Sequence, residues 1–191
     1  MDENPDVVWI QLLINLSRYI DSQVSFTGRH SAQVADWVRF TARKLDFSEF
    51  EVHSVYWAAL LHDIGKIGVP RAVLRKDGPL TETEWTVMRL HPTVGANIVR
   101  SLKAIAHIAP MIYYHQEKFD GSGYPEGLQG EDIPIGARIL AVVDAYEAMT
   151  HDRVYRKARS HGEAISELHS LSGGDFDPEV VETFLDAMDS A

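Results

Sequence analysis

The sequence contains no cysteine, which excludes disulfide scaffolds, thiolate zinc sites, iron–sulfur clusters and cysteine nucleophiles. It has no run approaching the roughly 20 uninterrupted apolar residues of a membrane-spanning helix. The start, Met1-Asp2-Glu3-Asn4-Pro5, is acidic where a secretory signal would be basic. Together these absences predict a cytoplasmic chain with no membrane partner. Basic residues are also short: 18 Lys and Arg stand against 28 Asp and Glu, a formal charge of −10. That balance argues against binding to nucleic-acid polymers or anionic surfaces. No internal repeat, low-complexity tract or Pro/Gly/Ser-rich linker divides the 191 residues. A chain of this length that is 45% hydrophobic suits one domain with a substantial core. The residue in unusual supply is histidine, with nine.

Apolar residues recur three and four apart rather than alternating, so the expected fold is all-α. Pro5 followed by Val8, Ile10, Leu12, Leu13, Leu16 and Ile20 marks a first helix, and Val34, Trp37, Val38, Thr41 and Leu45 form the inner face of a second. Ser48 and Glu51 make a capping box, with Phe47 able to staple onto Val52, at the head of a helix that should reach about His62. Thr81 and Glu84, with Leu80 against Trp85, repeat the pattern. Pro92 starts a helix directly after His91, because proline suits the first turn and disfavours α geometry before it. His91 therefore falls at a helix junction. Glycines at 121, 123, 127 and 130, with Pro125 and Pro134, make one long Gly/Pro-rich loop. Helices resume at about Ile135 to Met149, after Ser160 with Glu163 as its capping partner, and after Asp177-Pro178. The pattern predicts a single bundle of about seven or eight helices.

The chemistry-bearing residues sit where a core would prefer leucine. His62-Asp63 ends the apolar stretch Val55 to Leu61, and Asp144 closes Ile139-Leu140-Ala141-Val142-Val143. A single buried histidine is commonly satisfied within the core, but an adjacent imidazole and carboxylate are both good ligands for divalent transition metals, and a carboxylate can bridge two ions. Asp144 needs a metal, a cation or a hydrogen-bond network if it is buried; an ion pair with Arg138 or a solvent-facing position is the alternative. His30, His91 and His115 stand at element ends or on inner faces. His53, His107, His151, His161 and His169 read as structural or exposed.

His62-Asp63-Ile64-Gly65-Lys66, then His115-Gln116-Glu117, then Asp120-Gly121-Ser122-Gly123-Tyr124-Pro125 resemble, in content and order, the HD-GYP subfamily of HD-domain metal-dependent phosphohydrolases. Gly127-Leu128, Ile133-Pro134, Ala137-Arg138-Ile139 and Arg153-Val154-Tyr155-Arg156 extend the match. It runs from about Phe26 to Phe184 and leaves the first helix outside. Residues 1–24 thus read as an accessory N-terminal helix and 25–188 as the catalytic core of one HD-GYP domain spanning 1–191.

The resemblance implies a phosphodiesterase that hydrolyses cyclic di-GMP to pGpG, GMP or both through a metal-activated hydroxide. By motif position, His30, His62, Asp63 and Asp144 would hold one divalent ion. His91, His115 and Gln116 would hold a second, with Asp63 bridging. Gln116 departs from the subfamily, which has a second histidine there, and an amide oxygen is a poorer ligand for the softer divalent ions. Phe26 stands where three-metal members carry a glutamate, so two ions at most are expected. With no thiolate, nitrogen and oxygen ligands favour iron or manganese, with nickel or magnesium allowed. Asp63 and Lys66 are the expected catalytic pair, Lys66 stabilising phosphorane charge or protonating the leaving group; its alternative is a solvated surface lysine.

Arg153 and Arg156, three apart, can face one way, and by resemblance hold substrate phosphate; the alternative is ordinary surface arginine. Tyr124 and Gly123 belong to a lip expected to contact substrate and, by resemblance, GGDEF-domain partners, although glycine-loop packing accounts for them equally well. Two rival readings remain: a degenerate HD-GYP domain that binds nucleotide or a GGDEF partner without turnover, and an HD phosphohydrolase for another nucleotide. The first helix is open as a homodimer contact, a cap on the bundle or part of a linker.

Overall fold

The computed structural model describes residues 5–24, 29–151 and 157–190. Among these residues the chain forms ten α-helices and no named strand: α1 Pro5–Val24, α2 His30–Lys44, α3 Glu49–Leu61, α4 Arg71–Leu74, α5 Glu82–Met88, α6 His91–Arg100, α7 Ala109–Tyr113, α8 Ile135–Thr150, α9 His161–Leu171 and α10 Pro178–Asp189. Short 3₁₀ turns lie at Ile64–Gly68, Ala106–Ile108 and Gly130–Asp132. The all-α expectation holds, and eight of the ten helices are seven residues or longer. The two that the hydrophobic pattern does not reveal, α4 and α7, have four and five residues, too few to show a period of 3.6.

Local chemistry sets the helix starts. Ser48, Thr81 and Ser160 each accept from the backbone N–H three residues on, and Glu51, Glu84 and Glu163 reach back to complete the capping boxes. Asp177 caps α10 ahead of Pro178. His91 is the first residue of α6, with Pro92 in the first turn. No α-helix forms between Gly121 and Pro134, in line with the glycine and proline content there.

The core has two lobes that share α3. Val52, Val55 and Ala59 pack with α2, α8, α9 and α10, whereas Ala58 and Leu61 pack with Ile20, Ile64, Ala96, Val99 and Ile112. A helix segment buried on two sides must be apolar nearly all round, which α3 is from Val55 to Leu61. Its C-terminal end emerges at the seam between the lobes, and there it delivers His62-Asp63. Gly65 lets the following turn press onto α6: a Cβ at that position would lie 1.9 Å from the His91 carbonyl oxygen. Without a glycine there the turn carrying Asp63 and Lys66 could not approach the helix carrying His91.

Candidate metal centre

Six of the predicted residues converge at this seam from six elements. His30 opens α2, His62 caps the end of α3, Asp63 precedes the 3₁₀ turn, His91 opens α6, His115 follows α7, and Asp144 lies in α8. All but Asp144 are buried. His30 Nε2 lies 2.9 Å from Asp144 Oδ1, and His62 Nε2 lies 3.8 Å from the same oxygen. Asp63 presents one oxygen to each half: Oδ2 is 3.5 Å from His62 Nε2, and Oδ1 is 3.5 Å from His91 Nε2. Lys66 Nζ donates to Asp63 Oδ2 at 2.5 Å.

Backbone hydrogen bonds fix the tautomers of three histidines. Nδ1 of His62, His91 and His115 lies 2.7, 2.8 and 2.7 Å from the carbonyls of Ala59, Met88 and Ile112, each three residues earlier. A carbonyl only accepts, so each Nδ1 carries the proton and each neutral ring turns an Nε2 lone pair inward. Burial, reinforced by the Lys66 charge, lowers the His91 pKa to about 4. Burial, followed by the nearby His91 and His62, lowers that of His115 to about 3. Burial opposes ionisation of Asp63, but Lys66 and the surrounding histidines outweigh it and hold the carboxyl well below the usual carboxylate range. Asp144, half-buried, is likewise held low although desolvation opposes it, chiefly by its hydrogen bond to His30.

These residues fit a divalent cation. The buried Nε2 of His62 has no hydrogen-bond partner among the described residues, and the Nε2 atoms of His91 and His115 stand only 3.2 Å apart. Inward lone pairs without donors are costly in a buried site, and a shared cation satisfies them. Two triads, His30–His62–Asp144 and His62–Asp63–His115, each bring their ligand atoms within 4.8 Å of one another. The alternative partner for Asp144 is ruled out, since Arg138 pairs with Asp177 at 2.5 Å.

Gln116, expected as a ligand of the second ion, is engaged by the glycine loop. Its Oε1 accepts from the Tyr124 hydroxyl at 3.0 Å, and its carbonyl accepts from Tyr124 N–H at 3.2 Å. Tyr124 is half-buried over the centre, its hydroxyl pKa raised by burial and then by the Asp63 charge. Gly123 serves packing: a Cβ there would meet Lys118 N at 2.3 Å and Glu117 Cα at 2.5 Å. Arg153, Arg156 and Phe26 lie outside the described residues.

Two buried acids on the elements that carry the site, Glu117 and Glu147, had no role in the sequence reading. Glu117 accepts from Glu126 N–H (2.7 Å) and Gly127 N–H (3.1 Å), tying the glycine loop down beside the centre. Its position directly after the His115-Gln116 pair was the available signal. Glu147, three residues after Asp144 on α8, lies 2.9 Å from His151 Nδ1, and burial raises its pKa. It looks like an exposed helix residue in the sequence, because nothing local marks the side it faces.

An all-helical domain with a buried, thiol-free cluster of histidines and aspartates is the class defined by this fold and site. The HD-domain family model matches residues 15–180, and the chain belongs to that family and, within it, to the HD-GYP subfamily. It is 42% identical over 178 residues to a cyclic di-GMP phosphodiesterase of Thermotoga maritima, covering 92% of this chain and 48% of that protein. It is 35% identical over 181 residues to 3'3'-cGAMP-specific phosphodiesterase 2 of Vibrio cholerae, covering 94% of this chain and 35% of that protein. The crystal structure of a cyclic GMP-AMP specific phosphodiesterase of V. cholerae, V-cGAP3, superposes with a TM-score of 0.72 at 22% identity, covering 94% of this chain and 48% of that one. That likeness concerns the fold. The chain spans about half or less of the length of these relatives. No helix among the described residues is long and apolar enough to cross a membrane.

Proposed function

We propose that this domain is a metal-dependent phosphodiesterase acting on cyclic di-GMP in the cytoplasm and releasing pGpG, GMP or both. The observation that carries the reading is Asp63, buried between two sets of inward-facing imidazoles with one oxygen toward each. That arrangement suits two divalent ions. His30, His62, Asp63 and Asp144 would hold one, and Asp63, His91 and His115 the other, with iron or manganese as the favoured metals. Bound there, divalent ions supply Lewis-acid charge to a phosphoryl oxygen and a water of lowered pKa.

The remaining chemistry belongs to the chain. Lys66 spends one of its three donors on Asp63, and the others can reach a phosphoryl or leaving oxygen from the partly open side of the site. The Tyr124 loop, anchored by Glu117, walls the centre from solvent and orients the substrate edge nearest Gly123 and Tyr124. Arg153 and Arg156 would add forked donors to the substrate phosphates. The same loop is the surface for a GGDEF-domain partner, and the exposed Trp9, Leu12 and Tyr19 of α1 offer a homodimer contact.

One observation favours the second reading, a domain that binds nucleotide without turnover: the Gln116 amide oxygen is engaged by Tyr124, which leaves three ligands for the second ion. A panel of cyclic di-GMP, 3'3'-cGAMP and bis(p-nitrophenyl) phosphate with manganese-loaded protein separates the readings. The enzyme reading expects cyclic di-GMP to be turned over fastest. Retained binding of cyclic di-GMP with no cleavage of any of the three supports the second reading.

A further inference from the structure

The first helix looks accessory in the sequence, yet its inner face carries two buried polar side chains, Ser17 and Asp21. Ser17 Oγ donates to the Leu60 carbonyl at 2.7 Å, two residues before His62. Asp21 is only 1% exposed, and its carboxylate accepts from both the backbone N–H (2.9 Å) and the hydroxyl (2.8 Å) of Ser31, the neighbour of His30. The two serine hydroxyls lie 3.5 Å apart, each with its single proton already given to Leu60 or Asp21, so α1 holds the end of α3 and the start of α2 by two separate sets of hydrogen bonds.

Asp21 supplies what α2 lacks locally. Arg29, at the cap position, makes no side-chain hydrogen bond to the first turn, so an amide that a neighbouring Ser or Asp would normally satisfy is satisfied from another helix. A carboxylate is also the favoured charge at the positive end of a helix. The first turn of α2 presents His30, and the last turn of α3 presents His62. Both turns are therefore pinned to the same helix. The family match begins at residue 15, so it takes in Ser17 and Asp21.

We infer that α1 braces the metal centre, with Asp21 and Ser17 as positioning residues that hold His30 and His62 in ligating geometry. This rests on the reading that His30, His62 and Asp144 hold a divalent ion. Cobalt(II) titration of the whole chain, followed by visible d–d absorption, tests it by reporting affinity and ligand geometry together. Asp21→Ala should weaken cobalt binding about 3- to 10-fold, less than loss of a group bonded to the ligand ring itself because Asp21 acts through Ser31, and shift the absorption bands. Asp21→Asn keeps an acceptor for the Ser31 N–H and a donor for its hydroxyl, so it should restore most of both.

Measurements are made well below each variant's melting temperature, with matching far-UV circular dichroism. A lowered melting temperature with unchanged affinity and spectrum would overturn the brace and leave Asp21 a stabilising contact only. Wild-type protein that binds no cobalt would instead overturn the metal reading beneath it. Should Asp21→Ala not fold, Ser31→Ala removes only the hydroxyl bond: a weakening of about threefold or more supports the inference, and unchanged affinity and spectrum overturn it.

Discussion

Nε2 of His91 and Nε2 of His115 face each other at 3.2 Å, while the Nδ1–H of each ring is committed to a backbone carbonyl. Two neutral imidazoles in that arrangement present lone pair to lone pair. The contact becomes favourable only with a cation between or beside them, and the protein's own proton is a poor candidate because burial holds both rings neutral.

The pH dependence follows from that neutrality. The pKa values of His91 and His115 sit near 4 and 3, below the ordinary value of about 6.5. Between these limits the unfolded chain binds more protons than the folded one, so stability is fully present above about pH 6.5 and is lost as the pH falls toward 4. Thermal melting of metal-free protein should show a midpoint steady above pH 7 that drops progressively from pH 6.5 to 4.5. A midpoint unchanged from pH 7 to 5 would mean that the rings are not held neutral. Divalent metal should be released in the same direction, below about pH 5.

Asp63 and Lys66 touch each other, yet on the proposed reading their roles should be separable. Asp63→Ala removes the carboxylate that turns one oxygen to each half of the centre, and should abolish metal retention and turnover together. Lys66→Met should leave the metal content intact while lowering kcat about 100-fold, as for loss of one preorganised donor to a charged transition state. Elemental analysis beside steady-state kinetics checks both. Full metal content in Asp63→Ala would contradict the ligand assignment.

Gln116 is the point at which this chain departs from its subfamily. Restoring an imidazole by Gln116→His should tighten the second ion or raise the number of ions retained, with turnover rising in step. Metal titration by calorimetry gives the answer. Unchanged affinity and stoichiometry would show that His91, His115 and Asp63 already complete that half.

The glycine loop has no room for adjustment at Gly123. Gly123→Ala forces a methyl group into the Glu117–Lys118 backbone and should cost at least about 2 kcal/mol. Glu117→Ala strands the Glu126 and Gly127 amides and should cost about 1–3 kcal/mol. Urea denaturation measures both. A Gly123→Ala variant as stable as wild type would mean that the loop is not seated as described.

Much of this was legible because it depends on local chemistry. The capping boxes at Ser48, Thr81 and Ser160 and the Pro92 start are fixed by neighbours within a few residues, and the structure has each where the sequence puts it. The histidine and aspartate cluster was legible because His62-Asp63 and Asp144 interrupt apolar runs, while His30, His91 and His115 joined it through the motif resemblance. What was hidden depends on distant partners. Nothing near Asp21 says that it will cap a helix ten residues on, and nothing near Glu147 says that its side of α8 is buried. The bond between Gln116 and Tyr124 forms only once the glycine loop folds back.

The most direct test of the account is to incubate the protein with cyclic di-GMP, once loaded with manganese or iron(II) and once stripped by chelator, and to follow pGpG and GMP by chromatography. Product is expected from the loaded protein, none from the stripped protein, and recovery when metal is restored. Metal-loaded protein that binds cyclic di-GMP and yields neither product would contradict it.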